Sequence, residues 1–156
     1  MGDAPIEQAK AMIGTVAEPT IWEVERGAIR RYAEAIDDPN PLFRDVEHAR
    51  GKYGDLICPP GFFGWSLRGG GIADIIALVL PLLVKAGYPA LLDGGVDYEF
   101  MLPVRAGDTL TSWSRLADIT EREGRAGKMI FTTVETTYIN QNGDVVAKAR
   151  QTLISR

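Results

Sequence analysis

Apolar residues recur along this chain at two different periods. In residues 28–36 they fall at Ile29, Tyr32, Ala33 and Ile36, one face of a helix. Residues 128–139, KMIFTTVETTYI, instead alternate Ile130, Val134 and Tyr138 against Met129, Phe131 and Ile139, with β-branched threonines between them, which predicts a strand. Asn142-Gly143 then marks a tight turn into VVAKARQTLIS. The segment EREGRAG joins the first of these strands to the preceding TLTSWSRLADI, and PVRAGD joins that one to GGVDYEFML. The second half therefore reads as a meander of long antiparallel strands. The first half reads as helices, with one over residues 6–14, a short extended piece TIWEVE, and a short surface helix in DVEHARG.

Two features lie between the halves. Pro39 disfavours helical backbone at Asp38, and Asn40-Pro41 repeats that constraint, so the helix should end near Asp37 and Asp38 should begin a stiff turn. Further on, CPPGFFGWSLRGGG places Pro59-Pro60 where a helix can start and Gly69 to Gly71 where one can end. Phe62, Phe63, Trp65 and Leu67 face several directions around that helix, the mark of a buried one. One helix wrapped by a strongly curved antiparallel sheet accommodates both halves, an α+β, hotdog-like arrangement in a single domain over residues 1–156.

Composition narrows the function. The 17 basic and 21 acidic side chains give a net charge of −4, with no basic run longer than Arg30-Arg31, so nucleic acid is not expected as a partner. His48 is the only histidine and Cys58 the only cysteine, so neither a metal site nor an intrachain disulfide is expected. The N-terminal residues lack the pattern of a signal peptide, which points to the cytoplasm. The run IADIIALVLPLLV over 72–84 falls short of the roughly 20 residues of a membrane span, and it reads as a core or lid segment.

The phrases AIDDPNPLFRD, CPPGF and VDYEFMLPVRAGDTL together resemble the MaoC-like hydratases and dehydratases of acyl thioesters, over nearly the whole chain. That family carries a D-x-N-P-[IL]-H signature whose Asp and His handle the water that adds across, or leaves, the α,β double bond. Asp38, Asn40, Pro41 and Leu42 match it, but Phe43 stands in the place of the histidine. Each proton transfer lost to such a change typically removes about 10²- to 10⁴-fold in rate. The resemblance therefore implies the half of a hydratase that lacks the histidine, shaping the acyl site as a homodimer or as a heterodimer with a histidine-bearing subunit. It implies an acyl-CoA or acyl-carrier thioester as ligand, and no cofactor beyond the coenzyme A of the substrate.

The candidate catalytic residues are Asp38 and, as a replacement for the missing histidine, His48; the candidate substrate-binding residues are Asn40, Phe43, Gly61 and Phe62. Gly61 and Phe62 are the first N–H donors after two prolines, placed where they could polarise a thioester carbonyl. Each has a plainer reading. Asp is common in turns, His48 sits in a polar helix, and Gly61 could simply permit close packing. Arg44 and Arg68 are candidates for coenzyme A phosphates, and Tyr98, Phe100 and Trp113 for packing on the central helix. A non-catalytic acyl-CoA-binding or regulatory subunit and a hotdog thioesterase are the competing functions.

Overall fold

The computed structural model describes residues 3–65, 71–125 and 127–156. Its helices are α1 (Asp3–Lys10), α2 (Arg26–Ala35), α3 (Val46–Tyr53), α4 (Phe62–Trp65) and α5 (Ile72–Lys85), with a 3-10 turn at Pro41–Phe43. The strands are β1 (Thr20–Glu23), β2 (Leu91–Phe100), β3 (Thr109–Gly124), β4 (Gly127–Ile139) and β5 (Val145–Ser155), and they form one antiparallel sheet in the order β1-β3-β4-β5-β2. The expected meander holds for β3, β4 and β5, with its last hairpin closed by Asn140 N–H donating to the Asp144 carbonyl; β2, expected beside β3, instead crosses over to pair with β5, and the short β1 takes the place beside β3. A half-barrel of this kind wrapped on helices is the hotdog fold.

Alternation along the strands assigns the two faces. Leu110, Ser112, Ser114 and Leu116 of β3 and Ile130, Val134, Thr136 and Tyr138 of β4 are buried under the helices, while Thr111, Trp113, Arg115, Glu135 and Thr137 point the other way. Trp113 was expected against the central helix; the parity of β3 puts it on the outer face instead, where it lines a hollow with Arg115 and Glu135.

The core on the helix side has two apolar parts. One gathers Ile29, Ala33, Phe43, Leu56, Phe62 and Phe63 from the chain before α5 against Leu110, Tyr138 and Ala149. The other packs Ile72, Ile75, Val79 and Leu83 of α5, with Ile6 and Ala9 of α1, on Leu116, Ile119, Ile130 and Val134. Between them the sheet is polar: Ser114 and Thr136 share a hydrogen bond of 2.8 Å, and Trp22 Nε1 donates to Ser112 Oγ at 2.8 Å.

The long helix on the sheet is α5, the run read as core or lid, rather than the segment 61–68. Of that segment Gly61 and α4 lie within the described residues, and residues 66–70 lie outside them. Of the glycines counted as a stop, Gly69 and Gly70 lie outside the described residues, and Gly71 is the N-cap of α5 at φ 68°, where a Cβ would come within 2.9 Å of Ser114. Four α5 side chains at i, i+3, i+7 and i+11 are buried, each worth about 1.5–3 kcal/mol. Pro81 is tolerated inside α5 because it lies on the exposed side, where water can satisfy the carbonyl one turn back.

Candidate active site

The turn carrying Asp38 is built by the end of α2. Asp37 is the one residue other than glycine with positive φ, 52°, among the described residues. Its N–H donates to the Glu34 carbonyl at 3.1 Å, and Asp38 N–H donates to the Ala33 carbonyl at 2.9 Å, the paired bonds that close a helix through a left-handed residue. Asp37 is thus accounted for by the backbone, since Asp enters this conformation more readily than most residues. The helix stops one residue earlier than its apolar stripe suggests, which leaves Ile36 as the cap and half exposed.

Past the cap, the signature residues hold one another. Asp38 Oδ1 accepts from Asn40 N–H at 3.0 Å, and Asn40 Oδ1 accepts from Leu42 N–H at 3.0 Å, two successive side-chain turns that start the 3-10 turn at Pro41. Both side chains are half-buried. Arg44 closes the turn from behind: its Nη2 donates to the Ala33 carbonyl at 3.1 Å, and its Nε is buried with no partner among the described residues. Arg44, a candidate for coenzyme A phosphates, ties the turn to α2. Arg68, the other such candidate, lies outside the described residues.

Phe43 points into the protein. At 7% exposure it belongs to the first core cluster, with Ala33, Leu56 and Phe62. His48 is exposed on α3, and its backbone N–H donates to Asp45 Oδ1, which caps that helix.

Across from the turn stands Gly61. A Cβ on it would overlap the hydroxyl of Tyr32 and sit 3.2 Å from that ring's Cζ, so Tyr32 reaches across from α2 and occupies the space that glycine leaves. The Tyr32 ring meets Phe62 edge-on, centroids 5.8 Å apart. This juxtaposition of Tyr32 and Gly61 escaped the sequence. The helical stripe marked Tyr32 as inward-facing, but only the fold brings α2 to the CPPGF segment. The expectation of two free donors there is halved, because Phe62 N–H donates to the Pro59 carbonyl at 3.0 Å. Gly61 N–H has no acceptor among the described residues.

Phe63 extends the site toward β2. It stands edge-on to Tyr138 at 5.3 Å and to Phe100 at 5.2 Å, with Tyr98 6.3 Å away, so Tyr98 and Phe100 do face the helices. Beside this cluster a hollow of about 30 Å³, lined by Phe63, Val96, Tyr98, Tyr138 and Gln151, has room for a water or two. A second, of about 10 Å³, lies under α5 between Val79, Leu83 and Leu153. Neither holds an acyl chain as it stands. A third hollow, about 550 Å³, is on the outer face around Trp113 and is not lined by the Asp38 turn. Its six charged side chains, Asp97, Glu99 and Glu135 with Arg115, Lys148 and Arg150, balance in sign.

Cys58 is no nucleophile: burial pushes its thiol well above the ordinary range, with the Asp108 carboxylate adding to the effect. Among the described residues no three His, Cys, Asp or Glu side chains are grouped to hold a metal ion.

The fold and the signature turn together place the chain in the hotdog hydratase and dehydratase class. Comparison agrees. Residues 11–149 match the family described as FAS1-like, dehydratase domain region. A UPF0336 protein of Saccharopolyspora erythraea is 34% identical over 154 residues, covering 97% of this chain and 92% of that one. A probable enoyl-CoA hydratase alpha subunit of Thermomonospora curvata is 28% identical over 165 residues, 95% of this chain and 50% of its own. Among solved structures, the HadBC (3R-hydroxyacyl-ACP dehydratase) complex of Mycobacterium tuberculosis superposes with a TM-score of 0.70 at 23% identity, over 92% of this chain and 96% of that one. The chain belongs to this MaoC-like hotdog dehydratase family.

Proposed function

We propose that this chain is the histidine-lacking member of a two-subunit hydratase or dehydratase that acts on enoyl or 3-hydroxyacyl thioesters of coenzyme A or an acyl carrier. One observation carries the reading: the signature turn is intact from Asp38 to Leu42, yet the position of its histidine is a core phenylalanine. Addition of water across a conjugated double bond needs a base for the water and an acid for the α-carbon. The Asp38 carboxylate can serve one such role, and its partner must come from elsewhere. A histidine-bearing subunit supplies it in this reading, while this chain contributes the walls of the acyl site through Tyr32, Phe62 and Phe63. Gly61 N–H is the donor left to polarise the thioester carbonyl. The names of two relatives, an enoyl-CoA hydratase alpha subunit and a two-chain hydroxyacyl dehydratase, support a divided enzyme.

A non-catalytic, acyl-binding role is the second reading, and the Asx turn favours it, because Asp38 Oδ1 already accepts the Asn40 N–H. The deciding experiment follows the loss of conjugated enoyl-CoA absorbance. The chain alone is expected to show no turnover, and mixing with a D-x-N-P-x-H-bearing subunit is expected to restore it, with Asp38→Asn in this chain lowering the restored rate. Restored turnover indifferent to Asp38→Asn would establish the non-catalytic role. Turnover by the chain alone that His48→Ala abolishes would overturn both readings and make His48 the missing base.

A further inference from the structure

The two edges of the sheet differ. β1 is four residues long, whereas β2 presents ten residues of unpaired backbone, and Val96, Phe100, Met101 and Leu102 are each at least 38% exposed along or just after it. An edge so long and apolar is a template for another strand. Its outer-face charges say which kind. Register places Arg115 of β3, Glu135 of β4, Arg150 of β5 and Asp97 of β2 in one row across four strands. Signs alternate along it, and Glu135 takes Arg115 at 2.6 Å and Arg150 at 2.5 Å. The row ends on Asp97 at the open edge. The neighbouring row ends there on Glu99, opposite Lys148. Neither Asp97 nor Glu99 forms an ion pair among the described residues.

We infer that the β2 edge pairs with a different chain whose edge strand carries basic residues on its outer face, and that Asp97 and Glu99 disfavour pairing between two copies of this chain. This rests on the two-subunit part of the proposed function, not on its chemistry. Residues 91–102 contain Asp93, Asp97 and Glu99 and no lysine or arginine. In a two-fold antiparallel pairing of two β2 strands, residues c+k and c−k stand opposite for a centre c. Centred on Tyr98, Asp97 faces Glu99 twice; centred on Asp97 or Glu99, that residue faces itself. No register offers either acid a cation. Like charges directly opposite weaken a strand pair and opposite charges strengthen it, and symmetry doubles each such contact off the axis. A basic partner strand would continue the alternating row past Asp97 and give Glu99 a cation on its open side.

The test is sedimentation equilibrium of wild type, of Asp97→Lys/Glu99→Lys, and of their mixture, at low salt. The mixed pair is expected to be roughly tenfold tighter than either self-pair, with the difference shrinking as salt is raised. Because the reversed residues would face Arg150 and Lys148 within their own sheet, Asp97→Asn/Glu99→Gln provides an independent arm. It is expected to self-associate more tightly than wild type by a similar factor. A mixed pair no tighter than the wild-type self-pair, or a neutral variant that self-associates no better, overturns the inference. Enoyl-CoA turnover is read separately: charge-selected pairing without turnover alongside a histidine-bearing subunit would sink the hydratase reading and leave this one standing.

Discussion

Tyr32 fills the space that Gly61 leaves, and a methyl group on Gly61 has nowhere to go unless Tyr32 moves. Gly61→Ala should cost about 1–3 kcal/mol of stability in urea unfolding, the usual penalty for overpacking. Tyr32→Phe removes the atom that clashes most, so the double variant should recover part of the loss, a coupling that a double-mutant cycle measures. Additive effects would mean that the two residues do not meet. Cys58 gives the opposite kind of prediction. With its thiol held protonated by burial, the native protein should react with alkylating reagents at neutral pH far more slowly than the urea-unfolded chain. Equal rates would contradict the packing of Pro59 and Cys58 against the core.

At the scale of elements, the turn from Asp37 to Arg44 is held from both ends, by the α2 cap and by Arg44 on the Ala33 carbonyl. Phe43 anchors its far side in the core, so Phe43→Ala should destabilise by about 3–5 kcal/mol. A loss below about 1 kcal/mol would place Phe43 at the surface, as a binding residue, instead. The prolines made this turn legible in advance, because each acts on the backbone of the residue before it. The length of the helix on the sheet was not legible. Gly71, read as part of a terminator, is the entry to α5, and the identity of a helix wrapped by strands depends on contacts with residues 116–134.

Across the whole molecule, Asp55 and Arg26 tie the start of α2 to the segment leading to Leu56. Arg26 Nε and Nη2 both donate to the Asp55 carboxylate, which also accepts Leu56 N–H at 2.7 Å. The hydrogen bond from Arg26, first, and then that from Leu56 hold the Asp55 carboxyl below its ordinary range, against the opposing effect of burial. A carboxyl depressed in the folded state adds stability above its unfolded pKa and loses it as pH falls through the folded value. Asp55→Asn should therefore lower stability at neutral pH and converge with wild type in acid, below about pH 4. A deficit unchanged down to pH 2 would mean that the carboxylate charge is not what matters.

The amino-acid sequence by itself determined the elements whose causes are local: the strands from alternation, the stop of α2 from prolines, the last hairpin from Asn-Gly, and the absence of the signature histidine from one letter at position 43. It also carried the family, since three short phrases sit in the right order. Tertiary structure alone decided what each candidate touches. Tyr32 meets Gly61 although 29 positions separate them, and Phe62 spends its N–H on Pro59. Trp113 turns outward by the parity of its strand, and four charges from four strands line up into a row that ends on an open edge. Local backbone preferences act over a few residues and are written in order along the chain. Contacts between distant segments depend on register and crossing, which arise only when the sheet curls around its helices.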